Sequence, residues 1–464
     1  MSWIGIGFSM ATHLGNEKKE RIASVDKFFK ISERGSTVGN EVIGGLTTFL
    51  AMAYIIAVNP TFLQAAGIPF NAALTATCFG AAIMTAAMGL IANRPLALAS
   101  GMGINAIVAF TLCDAGGLGI DWRVAMAIVF LEGVVILVLV VCGLRKAIMD
   151  AIPVDLRIAI GIGIGLFIAF IGLKGGGIIA DNQSNLLGAG DFTSPACIVS
   201  IISILIAVIL TVMDVQGALL ISIVAATIIG IPFGVTSLPT SWEFGLDFSA
   251  FAAPFQTDPQ TGKMAILQVF LQPALLLFVF SLLMSDFFDT MGTVVAVGQR
   301  GDFVDKEGNV EDIQEILTVD SAAAIVGGFM GASSVTTFVE SASGAAAGAR
   351  TGLSNLVISA LFVVFAFFAP IVGMVSGSAT CGALTVVGYL MMTSIADIDW
   401  GRIEHAFPAF ITIMGIPFTY SITNGIGFGF ISYVVIKVAQ GKASDIKPLM
   451  WIAAAAFLVM FIFM

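Results

Sequence analysis

The stretch that decides the fold is Gly331–Gly352, GASSVTTFVESASGAAAGARTG. Its first half, Ser333 to Val339, is β-branched and hydroxylated, a composition that favours extended backbone. Its second half, Ser341 to Ala349, is almost entirely Ala, Gly and Ser, so a neighbouring helix can approach it closely. One carboxylate, Glu340, stands between the halves, and apolar runs flank the whole. Interrupted backbone at bilayer depth is tolerated only where it lines a cavity, and membrane carriers build substrate sites from such breaks. The stretch therefore predicts an extended segment, an acid at a break and a short half-helix. The alternative is a surface loop that happens to carry a Glu.

Composition sets the class. Of 464 residues 58% are hydrophobic and 11% charged, with a mean hydropathy of +1.02, which predicts an all-α polytopic membrane protein held in a lipid bilayer. The 51 glycines lie inside the apolar runs and point to close helix packing and broken helices. Five cysteines without metal spacing and two histidines predict no metal site and no cofactor. A net charge of −10 gives no support for nucleic acid as a partner. Trp3–Met10 is apolar but precedes the charged stretch, so no cleavable signal is expected.

Lys18, Lys19, Arg21, Lys27, Lys30 and Arg34 precede the first span and predict a cytoplasmic N-terminus. Spans are expected from about Val42 to Leu63, Asn71 to Ala92 and Arg123 to Leu144, with a short broken element, Leu96 to Phe110, between the last two. Arg94 and the pair Arg145–Lys146 mark inner turns. Further spans follow near Val154–Leu173, Ala196–Met213 and Gly217–Val235, then an outer connection from Thr236 to about Lys263. Leu271–Val297, a charged loop Gln299–Thr318 read as a solvated connector, and Asp320–Met330 lead to the Glu340 element. Leu353–Val375, Ala379–Ile395, Phe407–Phe418, Ile422–Val438 and Leu449–Met464 complete the chain. Lys437, Lys442 and Lys447 leave the C-terminal count open between thirteen and fifteen spans. The break at SGMGIN and the break at Phe338 lie about half a chain apart, the pattern of an inverted-repeat carrier.

The acids carry the chemistry. In SLLMSDFFDTMGT, Asp286 and Asp289 are three apart and share a helix side. A carboxylate at mid-membrane costs about 2.5–3.5 kcal/mol, so each should face a cavity or a partner. Asp289, followed by Gly292 and Thr293, is read as lining a pocket; Asp286 is equally a brace. Asn105, after Gly101-Met102-Gly103, is placed to cap a half-helix or to meet a ligand. Glu132 sits alone in an apolar span and is read as a brace or a second proton site, and Arg350 as a cation at the end of the Glu340 half-helix. Carboxylates suit a ligand with N–H donors, Phe338 offers a ring to stack on, and a carboxyl in a low-dielectric cavity can exchange a proton near neutral pH. A planar heterocycle with adjacent N–H groups, coupled to H+, fits all three.

GLTTFLAMAYIIAVNP, NRPLALASGMGINA, FDTMGT and TTFVESASGAAAGARTGL together resemble the AzgA-like purine permeases of the nucleobase–cation symporter family, from about Ser32 to the C-terminus. The resemblance implies fourteen spans in two inverted seven-span repeats, with strands and half-helices in spans 3 and 10. It implies an N-terminal segment 1–40, a core domain from 41–145 and 266–377, and a gate domain from 146–265 and 378–464. It places the base between Asp289 and Glu340, with Phe338, the Val339 backbone, Asn105 and Gly103 around it. Proton candidates are Glu340, Asp289, Asp286 and Glu132. The implied activity is proton symport of hypoxanthine and guanine, or adenine, across the inner membrane, with a homodimer through the gate domain. A uracil- or xanthine-type carrier is the near alternative. An anion carrier on the same architecture would want a site without acids, an enzyme would need a nucleophile with its base, and a channel has no need of broken helices with midpoint acids.

Overall fold

The computed structural model describes residues 24–114, 117–143, 152–182, 186–239, 242, 245–304 and 310–463. The readings of Trp3–Met10, Lys18, Lys19, Arg21, Arg145 and Lys146 fall outside the described residues. Thr37 caps α1 (Val38–Met52) by accepting a hydrogen bond from the Asn40 N–H at 3.1 Å. A two-residue break at Ala53–Tyr54 separates α1 from α2 (Ile55–Ala65), where the sequence reads as one unbroken span. There follow α3 (Phe70–Ile91), β1 (Leu98–Ser100), α4 (Met102–Ala106), a π-helix (Ile107–Cys113) and α5 (Trp122–Val141). Next come α6 (Val154–Gly175), the hairpin β2 (Ile179–Asn182) and β3 (Leu186–Ala189), α7 (Pro195–Val212) and α8 (Ala218–Gly230). The second half holds α9 (Ala265–Leu271), α10 (Pro273–Arg300), α11 (Ile313–Met330), β4 (Val335–Thr337) and α12 (Ser341–Ala346). It ends with α13 (Leu353–Phe365), α14 (Ala369–Val372), α15 (Gly377–Met392), α16 (Ile403–Phe418), α17 (Ile422–Ala439) and α18 (Pro448–Phe463). The molecule is thus a helical polytopic membrane protein. Among the described residues nine helices, α1 and α2 taken together, are long and apolar enough to cross a bilayer, and five apolar helices are shorter.

The two breaks meet. β1 and β4 pair antiparallel, Leu98 against Thr337, Ala99 against Thr336 and Ser100 against Val335, so segments from opposite halves satisfy each other's backbone inside the protein. Gly101 N–H to the Ser334 carbonyl and Phe338 N–H to the Ala97 carbonyl, both 2.9 Å, extend the pair at either end. The Ala/Gly/Ser run does bring a helix close: an added Cβ on Gly344 would collide with Thr48 Oγ1 and the Gly44 carbonyl oxygen of α1.

Helix packing falls into two sets. In one, α1 packs on α12 and α13, α3 on α13 and α11, and α11 on α5; in the other, α6 packs on α15 and α16, α7 on α8 and α15, and α16 on α17. The long α10 touches members of both.

Several expectations are corrected. α11 begins at Ile313, a full two turns before Asp320, so Asp320 is an interior helix residue and not a boundary. The described parts of the loop after α10 keep exposed acids, as a solvated connector would, and are also tied to the fold. Phe303 is fully buried, with the Arg94 guanidinium 4.9 Å above its ring. Arg94 in turn pairs with Glu311 and Asp312 at 2.6 Å, and Asp302 with Arg350 at 3.0 Å. Lys437 is buried against Glu404 at 3.0 Å and Lys442 meets the same carboxylate at 2.8 Å. The span read as Leu353–Val375 breaks before Pro370 into α13 and α14. The β2–β3 hairpin adds strands that an all-α reading does not contain.

Candidate substrate site between the two breaks

Glu340 stands at the junction of β4 and α12, as the residue before the first helical turn. Its carboxylate Oε1 accepts a 2.8 Å hydrogen bond from the hydroxyl of Tyr54, at the break between α1 and α2. Asp289, on α10, is exposed and lies within electrostatic reach of both Glu340 and Asp320. Val339 is 51% exposed between buried Phe338 and half-buried Glu340, and an added Cβ on Gly292, one turn beyond Asp289, would touch nothing within 4 Å. Glu340 and Asp289 thus meet at the β4–α12 break.

Along α10, Asp289, Gly292 and Gln299 are exposed towards the Arg300 end, whereas Ser281 to Phe287 are buried. A run of rings links α2 to α6. Phe62 of α2 meets Phe110 of the π-helix at 5.5 Å, Phe110 meets Tyr420 at 5.6 Å, and Tyr420 meets Phe167 of α6 at 5.1 Å. That chain of edge-to-face contacts joins the two helix sets.

The structure separates Asp286 from Asp289. Residues three apart on a helix differ by about 60° around its axis, and here the difference decides their surroundings. Asp286 is buried and neighbours the carboxyl of Glu132 on α5, itself fully buried, so these two acids form a pair. Asn105 is fully buried on α4, and neither atom of its amide has a hydrogen-bond partner among the described residues. Gly103, one turn before, is partly exposed. Phe338 is 6% exposed and belongs to the main apolar core.

Two residues escaped the sequence reading. Tyr54 sits in an apolar run with no signal beyond its hydroxyl. Asp320 is the hub beneath β4: it accepts from Thr290 Oγ1 at 2.7 Å, Thr336 Oγ1 at 3.2 Å and the Thr337 N–H at 3.1 Å, tying α10, α11 and β4 together. Its only signal is an acid in an apolar window, obscured by the charged loop just before it. At the far end of α12, the Arg350 guanidinium donates to the Ala349 and Ala345 carbonyl oxygens, the closing cation expected there. Among the described residues no cluster of His, Cys, Asp and Glu could hold a metal ion.

Comparison with known proteins bears on the family and the fold. The chain is 40% identical to the guanine/hypoxanthine permease PbuO of Bacillus subtilis, over 93% of this chain and 99% of that one. It is 38% identical to the adenine permease AdeP of Escherichia coli, over 95% and 96%. The fold resembles the transmembrane domain of a cyanobacterium bicarbonate transporter, BicA, with a TM-score of 0.61 and 17% identity over 82% of this chain and 96% of that one. It also resembles SLC26A9, with a TM-score of 0.59 and 13% identity over 86% and 65%. The model of the Permease family of xanthine/uracil type matches residues 39–428, and the chain belongs to that family, a transporter and not an enzyme.

Proposed function

We propose that the protein imports purine nucleobases, hypoxanthine and guanine or adenine, by proton symport with alternating access. The observation that supports the reading is the proximity of Glu340 and Asp289, from two separate elements, at a strand–helix break, and we read the space between them as the substrate chamber. Glu340 accepts ring N–H groups, Asp289 holds the opposite edge directly or through water, and the Val339 and Gly103 backbones with the Asn105 amide add hydrogen bonds. Phe338 closes the ring's face. Carboxyls without a cation among the described residues of the chamber suit a neutral ligand with N–H donors and a coupled proton. Glu340 and Asp289 are the first candidates for carrying that proton, and the Glu132–Asp286 pair the second.

The set containing α1, α3, α5, α11, α12 and α13, with α10, is read as the core (41–145 and 266–377). The set around α6, α7, α15, α16 and α17 is read as the gate (146–265 and 378–464), in a fourteen-span, two-repeat architecture with a cytoplasmic N-terminus in the inner membrane. The relatives' printed names support the purine class. The likeness to bicarbonate and anion transporters bears on the fold alone, and two acids facing the chamber disfavour an anion there.

Uptake into proteoliposomes of labelled hypoxanthine, adenine, uracil and sulfate tests the substrate. Hypoxanthine or adenine should accumulate, and a proton ionophore should abolish the accumulation. Preferential uptake of sulfate, or accumulation that the ionophore leaves untouched, would overturn the corresponding half of the proposal.

A further inference from the structure

Among the described residues, the hydroxyl of Tyr54, at the break between α1 and α2, donates a hydrogen bond to Glu340. The residue is 1% exposed at the α1–α2 break, and its donation to Glu340 Oε1 spans 286 positions of sequence. The same phenol lies within electrostatic reach of Asp289. A buried hydroxyl is costly unless it is hydrogen-bonded, and this chain has an apolar substitute to hand, since it uses 37 Phe and only 4 Tyr. Where it needs only a ring it places Phe. At position 54 the oxygen is therefore what the site uses.

What the oxygen does follows from the freedom of Glu340. A Glu side chain at the first turn of a six-residue helix has several rotamers, and ordering it on ligand binding costs affinity. The Tyr54 ring cannot move, because core side chains enclose it on every side. Its hydroxyl pins Oε1, which leaves Oε2 as the free oxygen for an incoming N–H.

We propose that Tyr54 is a positioning residue of the substrate site, which holds the Glu340 carboxylate in its ligand-ready orientation and takes no part in the proton transfer itself. The proposal rests on the reading of Glu340 as the group that holds the base.

The test is binding of labelled hypoxanthine to purified full-length protein, with uptake kinetics and thermal unfolding measured alongside. Tyr54→Phe should weaken binding about tenfold and raise the uptake KM to match, with maximal rate changed less than about twofold. The unfolding temperature should stay close to that of the parent. In a Glu340→Asp background, where the shortened carboxylate no longer reaches the hydroxyl, Tyr54→Phe should have no further effect on binding. An equal loss in both backgrounds, a fall in maximal rate without a change in KM, or a protein that does not fold would each make Tyr54 a brace and overturn the proposal. Unchanged binding in Tyr54→Phe, with binding lost in Glu340→Gln, would overturn it while leaving the substrate reading intact. Unchanged binding in Glu340→Gln would remove the substrate reading and this inference with it.

Discussion

The two breaks that pair through β1 and β4 are alike in backbone and opposite in chemistry. The β4 break carries a charge, Glu340, and is short: α12 runs six residues before its carbonyls are met by Arg350. The β1 break carries no charge. Its helix continues through seven π-helical residues to Cys113, and its polar residue, Asn105, is neutral and without a partner among the described residues. One half thus concentrates the electrostatics, while the other supplies backbone pairing and an amide held in reserve. Two breaks that share a strand pair need not share their chemistry.

This contrast can be broken by experiment. If the charge belongs to the β4 side, Glu340→Gln should cut uptake of labelled purine by about a hundredfold or more, the scale of losing one partner in a buried charged hydrogen-bond set. An uptake rate near that of the parent would dissolve the asymmetry. Packing at the same break should come next. Gly344→Ala places a methyl against Thr48 Oγ1 and the Gly44 carbonyl, backbone that has no room to yield. It should cost about 2–3 kcal/mol, read as a lower unfolding temperature in detergent. Asn105→Leu sharpens the comparison from the other side. It should weaken purine binding about tenfold while leaving the unfolding temperature unchanged or higher, because an unpaired buried amide is itself destabilising. A lower unfolding temperature with unaltered binding would assign Asn105 to structure alone.

The broken elements were legible because composition changes within a few residues: hydroxylated and β-branched to Val339, then Ala, Gly and Ser. Glu340 and Asp289 were legible because a carboxylate in an apolar run has to be explained. Asp286 was harder. Its spacing from Asp289 put both on one side of α10, and only the approach of α5 with Glu132 decided that it pairs with that acid. Tyr54 and Asp320 depend on partners 286 and 16–30 residues distant, which no local pattern announces. The tethers of the loop after α10 were hidden for a related reason: its exposed acids find their opposite charges, here Arg94 and Arg350, only once the fold brings them together.

The pairing of β1 with β4 limits how the molecule can work. The strands exchange backbone hydrogen bonds in fully buried surroundings, while the Thr337 and Leu98 N–H groups are met by Asp320 and Thr85, and parting the strands would leave buried backbone groups far from water. The two half-helices are therefore shackled across the whole length of the chain, and neither can slide past the other during a turnover. On the proposed reading, a base beside Val339 would have to ride with both of them, as a passenger in a single rigid carriage.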